Sequence, residues 1–180
     1  DMLLEQLALP HRIGVQDIHS TASIGIALWS KQLQQPEDLL RDADIAMYEA
    51  KHRGRGRWTL FDDAMRERLQ RAAIIEKELR HAIERGQLRA VYQPIIDLET
   101  GAMSSVEALL RWDHPTLGTV SPAEFIPVAE ESGLIMPLGE WVLSEGCRQW
   151  TAWQREDPER APATMSVNLS REQVAMGQRV

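Results

Sequence analysis

The sequence predicts an α/β chain in two parts joined by a helix. Three observations carry that prediction: a strand, helix, strand unit before Asp62; a charged stretch without Gly or Pro from Asp62 to Arg85; and alternating segments beyond it, followed by an amphipathic helix and a further strand. In the first part, Ile24, Gly25, Ile26, Ala27 and Leu28 follow Thr21, Ala22 and Ser23 as a short apolar run, which reads as a buried strand ending near Ser30. Pro36 suits the first turn of a helix and Glu37 and Asp38 suit its positive end. Leu39, Leu40, Ala43, Ala46, Met47 and Ala50 then recur at helical spacing, so one face of that helix is core. Lys51 closes it, Gly54 and Gly56 break the chain, and Trp58 to Phe61 reads as a second short strand.

From Asp62 to Arg85 good helix formers predominate, and Met65, Leu69, Ala72, Leu79 and Ile83 make a discontinuous stripe, as in a connecting helix that Gly86 ends. Strands are expected around Val91 to Leu98 and Ser105 to Trp112, joined as a hairpin at Glu99-Thr100-Gly101. Pro115, Gly118, Pro122 and Pro127 make Asp113 to Pro127 a loop with short turns. Beyond Gly139, Leu143, Cys147, Trp150 and Trp153 recur as the apolar stripe of a helix reaching about Gln154, and Met165 to Leu169 is a last strand. Composition and punctuation change near Asp62, which divides the chain into 1–62 and 63–180. Because it opens on Asp1 inside an apolar helical stretch and stops on Val180 without a closing element, the chain is expected to be a piece of something longer.

At 43 % hydrophobic and 26 % charged residues, the composition fits a soluble globular protein with a core and excludes collagenous or low-complexity chains. No apolar run approaches the roughly 20 residues a membrane-spanning helix needs, and the first residues lack the basic head of a signal peptide. Cys147, the one cysteine, cannot form an intramolecular disulfide or a thiolate zinc site, so the cytoplasm is the expected compartment. Its place on the apolar stripe makes it inert core. A net charge of −7 argues against a nucleic-acid partner, which would need a broad basic surface.

The residues that can carry chemistry fall in four places. In Val106-Glu107-Ala108-Leu109-Leu110-Arg111-Trp112 the strand period puts Glu107, Leu109 and Arg111 on one face and the other four residues on the opposite one. Glu107 and Arg111 stand roughly 13 Å apart at about 3.3 Å per residue. That is too far for a direct pair, so a metal suits Glu107 and a phosphate suits Arg111; two solvated charges are the alternative. Alternation likewise sends Ser166, Asn168 and Ser170 to one face. Mg²⁺ and Mn²⁺ accept carboxylate and amide oxygens, so Glu107 and Asn168 on neighbouring strands can share an ion, unless Asn168 is simply a turn or cap residue.

Lys51, Arg53, Arg55 and Arg57, spaced by Gly54 and Gly56, can wrap phosphate oxygens or can be a solvated helix end. Gln93 precedes Pro94, which cannot donate to a ladder, so that strand turns, bulges or lies at an edge there. The Gln93 amide then reads a base or a phosphate, or makes a structural hydrogen bond. Asp113 and His114 read as turn residues, because neighbours on a strand face opposite ways and Pro115 follows.

Thr21-Ala22-Ser23-Ile24-Gly25-Ile26-Ala27 and Ala43-Asp44-Ile45-Ala46-Met47-Tyr48-Glu49-Ala50-Lys51 resemble the late core strand and last long helix of a GGDEF domain, a nucleotidyl-cyclase-like α+β fold. Tyr92-Gln93-Pro94-Ile95, Glu107-Ala108-Leu109-Leu110-Arg111-Trp112, His114-Pro115, Phe125-Ile126-Pro127, Ala129-Glu130, Gly133-Leu134-Ile135 and Val167-Asn168-Leu169-Ser170 resemble, in order, the opening of an EAL domain, a (β/α) TIM-like barrel. The resemblance implies the end of a GGDEF domain joined by a helix to the first part of an EAL domain. It further implies a phosphodiesterase that hydrolyses cyclic di-GMP to the linear dinucleotide with Mg²⁺ or Mn²⁺. By position it makes Glu107 the catalytic metal ligand together with Asn168, Gln93 and Arg111 contacts to the dinucleotide, and Lys51 and Arg55 contacts to the phosphates of GTP. Gly56 stands where the family usually has Asn, and Ser105 where Gly is common. The cyclase signature and the later barrel ligands would lie outside this sequence, so the 180-residue piece is expected to be inactive by itself. The alternative reading is a catalytically silent cyclic di-GMP receptor that signals through the connecting helix to a partner, a homodimer being one such assembly.

Overall fold

A computed structural model describes residues 2–14, 16–29 and 35–177, and the chain separates into two compact units, Asp1–Arg71 and Ala72–Val180. The first unit opens with helix α1 (Met2–Leu7) and an antiparallel hairpin, β1 (His11–Ile13) and β2 (Gln16–Ile18). Each of these strands is too short for periodicity to reveal, and the sequence reading does not contain them. Strand β3 (Ile24–Ile26), helix α2 (Pro36–His52) and strand β4 (Trp58–Leu60) form the expected unit, with β3 and β4 parallel and Ile24 opposite Trp58. Parallel neighbours need a crossover, and α2 supplies it. Gly25 permits the packing: a Cβ there would lie 1.9 Å from the Ala43 carbonyl oxygen.

Helix α2 buries Asp42, Ile45, Ala46 and Ala50, while Leu40 is exposed. Asp42 is buried because the guanidinium of Arg66, on helix α3 (Asp63–Leu79), donates to its Oδ1 at 2.6 Å. Arg66 also lies over the Phe61 ring, and the hydrogen bond to Asp42 raises its pKa further. Ile45, Ala46 and Met65 form the small core between α2 and the first half of α3. The run from Ile24 to Leu28 is less buried than its sequence suggests: Ile26 and Leu28 are exposed. Among the described residues its sheet has two strands, with α2 packed against it. Ser30, the expected strand end, lies outside the described residues.

The second unit contains the second half of α3, then β5 (Leu88–Ile96), β6 (Met103–His114), β7 (Gly118–Val120), α4 (Pro122–Ser132), α5 (Ile135–Glu156), β8 (Thr164–Val167) and α6 (Arg171–Gly177). The connecting helix ends at Leu79 rather than Arg85, because the backbone tightens: His81 N–H bonds Glu78 O and Ala82 N–H bonds Leu79 O, one residue short of the helical spacing. The tightening leads into turns that carry Ala82 into the core. Strands β5 and β6 form a long antiparallel hairpin, from Leu88 opposite Trp112 to Ile96 opposite Met103. The ladder is irregular at Ile95 and Ile96, and β5 lies at the sheet edge, in keeping with Pro94. At the hairpin turn the Asp97 carboxylate accepts the N–H groups of Glu99 and Thr100 and the Thr100 hydroxyl, and these bonds hold its pKa below the usual range.

On its other side β6 carries β7, antiparallel, and β8, parallel. Fully buried Trp112 meets Phe125 of α4 edge-to-face at 5.7 Å and donates from Nε1 to Gln87 at 3.2 Å. Val120, Ile75 and Leu138 complete that core.

In three places the second unit departs from what local sequence pattern suggests. Residues 113–127 are not a loop, since β7 and the start of α4 occupy them, with Pro122 in the first turn, where a missing N–H costs nothing, and Pro127 inside the helix. Asp113 and His114 are the last two residues of β6, not turn residues. The buried His114 ring accepts the N–H groups of Thr116 and Leu117 at Nδ1 and meets Glu78 Oε2 at Nε2, 3.3 Å, so its side chain caps the turn that follows. Cys147 is exposed, and so is Leu143; the buried stripe of α5 is Ile135, Leu138, Gly139, Val142 and Gly146. Two glycines explain the shift, since the closest approaches of α5 are made where side chains are missing: a Cβ on Gly146 would lie 3.1 Å from the sulfur of Met165. No helix among the described residues is long and apolar enough to cross a membrane.

Candidate active site

The site is built on the middle of β6. Val106 and Ala108 face the core, so Glu107 between them faces the opposite way, and Arg111 lies on the same side as Glu107. The ladders put Gln93 of β5 opposite Glu107 on one flank and Ser166 of β8 opposite it on the other. Directly paired residues share a face, so three adjacent strands contribute one row. Asn168 stands just past the end of β8, two positions beyond Ser166 and therefore on that face, and its Nδ2 donates to Glu107 Oε1 at 2.6 Å. Arg111 donates to the carbonyl of Leu110 at 2.9 Å. Together with Asn168, Glu130 and Gln173 it lines a cavity of about 260 Å³.

Four of the six residues singled out in the sequence, Gln93, Glu107, Arg111 and Asn168, thus meet on one sheet face. Lys51 and Arg55 belong to the first unit, Lys51 exposed in the last turn of α2 and Arg55 on the exposed turn that follows it. There Gly54, Arg55 and Gly56 all have positive φ, at 107°, 58° and 60°. Arg53 is bound to Glu49 at 2.8 Å and Arg57 Nε donates to Arg55 O at 3.4 Å. Among the described residues, the side chains of Lys51 and Arg55 have no bonded partner.

The donor set fits a hard cation in part. The Glu107 carboxylate and the Asn168 amide oxygen are the ligand types that Mg²⁺ and Mn²⁺ accept, and side chains within hydrogen-bonding reach of each other can touch one ion. They supply two of the roughly six oxygens such an ion takes. No group of three or more His, Cys, Asp or Glu side chains suited to a metal occurs among the described residues. The sequence reading missed Gln173, although the spacing Ser170-Arg171-Glu172-Gln173 ahead of α6 is a helix-start signature: Ser170 Oγ accepts the Gln173 N–H at 3.3 Å and Gln173 Oε1 accepts the Ser170 N–H at 2.9 Å.

Family profiles match both units: EAL domain over residues 76–179, and diguanylate cyclase, GGDEF domain, over residues 1–57. The chain is similar to the bifunctional diguanylate cyclase/cyclic di-GMP phosphodiesterase MucR of Pseudomonas aeruginosa, 41 % identical over 175 residues, covering 97 % of this chain and 25 % of MucR. It is 39 % identical over 173 residues to the cyclic di-GMP phosphodiesterase PdeR of Escherichia coli, covering 96 % of this chain and 26 % of PdeR. It therefore spans about a quarter of the length of these relatives. Among solved structures it resembles the PaMucR phosphodiesterase in its c-di-GMP complex, with 40 % identity and a TM-score of 0.50 over 59 % of this chain and 44 % of that one. The face that unites Glu107, Arg111 and Asn168 lies within the EAL match, the basic turn at Lys51 and Arg55 within or beside the last residues of the GGDEF match, and the chain belongs to the GGDEF–EAL family.

Proposed function

We propose that this chain is part of a cyclic di-GMP phosphodiesterase that opens the cyclic dinucleotide to its linear form with Mg²⁺ or Mn²⁺. The observation that carries the reading is the 2.6 Å contact between Asn168 and Glu107, two oxygen-bearing side chains from different strands on one face with Arg111. Glu107 and Asn168 would hold the ion, which when bound would polarise a phosphate oxygen and acidify an attacking water. Arg111 offers its planar guanidinium to a phosphate of the dinucleotide, and Gln93, on the edge strand beside Glu107, hydrogen-bonds the dinucleotide with its amide. Lys51 and Arg55 hold phosphates of GTP in the first unit, where both cations are free to do so. The first domain ends near Asp62 and α3 is the connection, the helix within which the two compact units divide between Arg71 and Ala72. The protein acts in the cytoplasm, consistent with an unpaired cysteine. With no group of three or more His, Cys, Asp or Glu side chains suited to a metal among the described residues, the 180-residue piece does not turn over by itself.

The test is to incubate the intact parent protein with cyclic di-GMP and Mg²⁺ or Mn²⁺, beside Glu107→Ala, and to follow the linear dinucleotide. Metal-dependent product that falls at least about 100-fold in the variant is the expected result. Tight binding of cyclic di-GMP without product would instead make the protein a receptor.

A further inference from the structure

Glu107 is held in the middle of a ladder, whereas Asn168 lies one residue beyond the last ladder position of β8. The turn that carries Asn168 is tied down through Gln173. The Gln173 amide oxygen accepts the Ser170 N–H at 2.9 Å, and the Ser170 hydroxyl accepts the Gln173 N–H at 3.3 Å, a reciprocal pair at the start of α6. The other end of the same amide, Nε2, rests on α5 directly over Gly139. A Cβ at position 139 would lie 1.6 Å from Nε2 and 2.8 Å from Cδ of Gln173. Gly139 is buried inside a helix and its φ is not positive, so what its missing side chain provides is the space that the Gln173 amide fills. Gly146 on the same helix seats β8 in the same manner, against Met165. One rigid helix thus holds both sides of Asn168: the strand before it and the turn after it.

We propose that Gln173, seated over Gly139, is a positioning residue for Asn168; this rests on the reading of Glu107 and Asn168 as a shared ion site. A Cβ at 139 displaces the Gln173 amide from its seat, which pulls its Oε1 away from Ser170 N–H and loosens the turn carrying Asn168 from α5. The Asn168 amide, whose Nδ2 donates to Glu107 Oε1, is then no longer held beside the carboxylate when an ion arrives.

The experiment measures Mn²⁺ affinity without substrate, from the electron paramagnetic resonance signal of free Mn²⁺, in the intact parent protein, with the melting temperature recorded beside it. Asn168→Ala is the reference and weakens Mn²⁺ binding. Gln173→Ala weakens it about tenfold or more, the effect usual for residues that orient a ligand. Gln173→Glu keeps an acceptor for Ser170 N–H and recovers most of the loss. Gly139→Ala weakens binding by a similar factor, and Gly139→Ala combined with Gln173→Ala is no worse than either alone, because both remove the same contact. If Asn168→Ala weakens binding while Gln173→Ala and Gly139→Ala leave it unchanged, the inference is overturned and the site reading stands. If Asn168→Ala has no effect, the site reading fails and takes the inference with it. A drop in melting temperature that Gln173→Glu does not reverse, without any change in Mn²⁺ affinity, marks Gln173 as purely structural and also overturns it.

Discussion

The basic turn of the first unit and the carboxylate–amide pair of the second are both candidate ligand sites, yet they are assembled in opposite ways. Lys51 and Arg55 sit within one turn of chain, exposed, on a backbone whose left-handed conformation two flanking glycines make accessible. Glu107 and Asn168 are 61 residues apart and meet only because β8 pairs in parallel with β6 in one register. The first site depends on local sequence and hardly on packing; the second exists only when the sheet is formed and covered. A shift of one residue in the β6–β8 register would send Ser166 and Asn168 to the core face and separate the pair.

That contrast is most exposed to Trp112→Ala. Trp112 is fully buried against Phe125 and hydrogen-bonded to Gln87, and its truncation is expected to cost about 3–5 kcal/mol. Urea unfolding of the second unit should shift by that amount, and Mn²⁺ binding should be lost in step with it. Mn²⁺ binding that survives in a variant whose second unit has unfolded would break the contrast, because the pair would not then need the sheet.

Glu78 offers a finer instrument. Hydrogen bonds from His114 and then Arg85 lower its pKa, so its contribution to stability is present above the ordinary glutamate value, about 4.3, and disappears as pH falls through the lowered one. Wild type should therefore unfold at higher urea than Glu78→Gln near neutrality, and the gap should close below about pH 4. A gap independent of pH would mean that Glu78 acts by shape and not by charge.

The smallest effect belongs to Arg55→Ala. An exposed side chain with no partner among the described residues should change stability by less than about 0.5 kcal/mol, while weakening GTP binding at the turn. A larger loss of stability would show that the basic turn is part of the fold and would erase its difference from the second site.

Much of this was legible without coordinates, for identifiable reasons. The strand period alone puts Glu107 and Arg111 on one face, Pro94 points to a turn, a bulge or an edge, and Pro36 with Glu37 and Asp38 marks the start of α2, because each rests on an interaction within a few residues. The errors share a cause as well. The buried stripe of α5 is not legible in the sequence because its contact points include glycines, which carry no hydrophobic signal, whereas the apolar Leu143 and Cys147 lie on an exposed face. Prolines that α4 tolerates mask it in the sequence, and the role of His114 as the buried acceptor for the next turn is a side-chain contact that no local pattern shows.

By itself, then, the sequence determined the α/β class, the strand and helix periods, the basic turn and the faces on which the candidate residues stand, since local sterics and apolar spacing decide those matters. Only the tertiary structure decided that Asn168 reaches Glu107, that α5 approaches through Gly139 and Gly146, and that Gln173 occupies the space a side chain at 139 would need. Those depend on which segments far apart in the chain pack together, and close packing chooses among partners by shape, a property no single stretch of sequence carries.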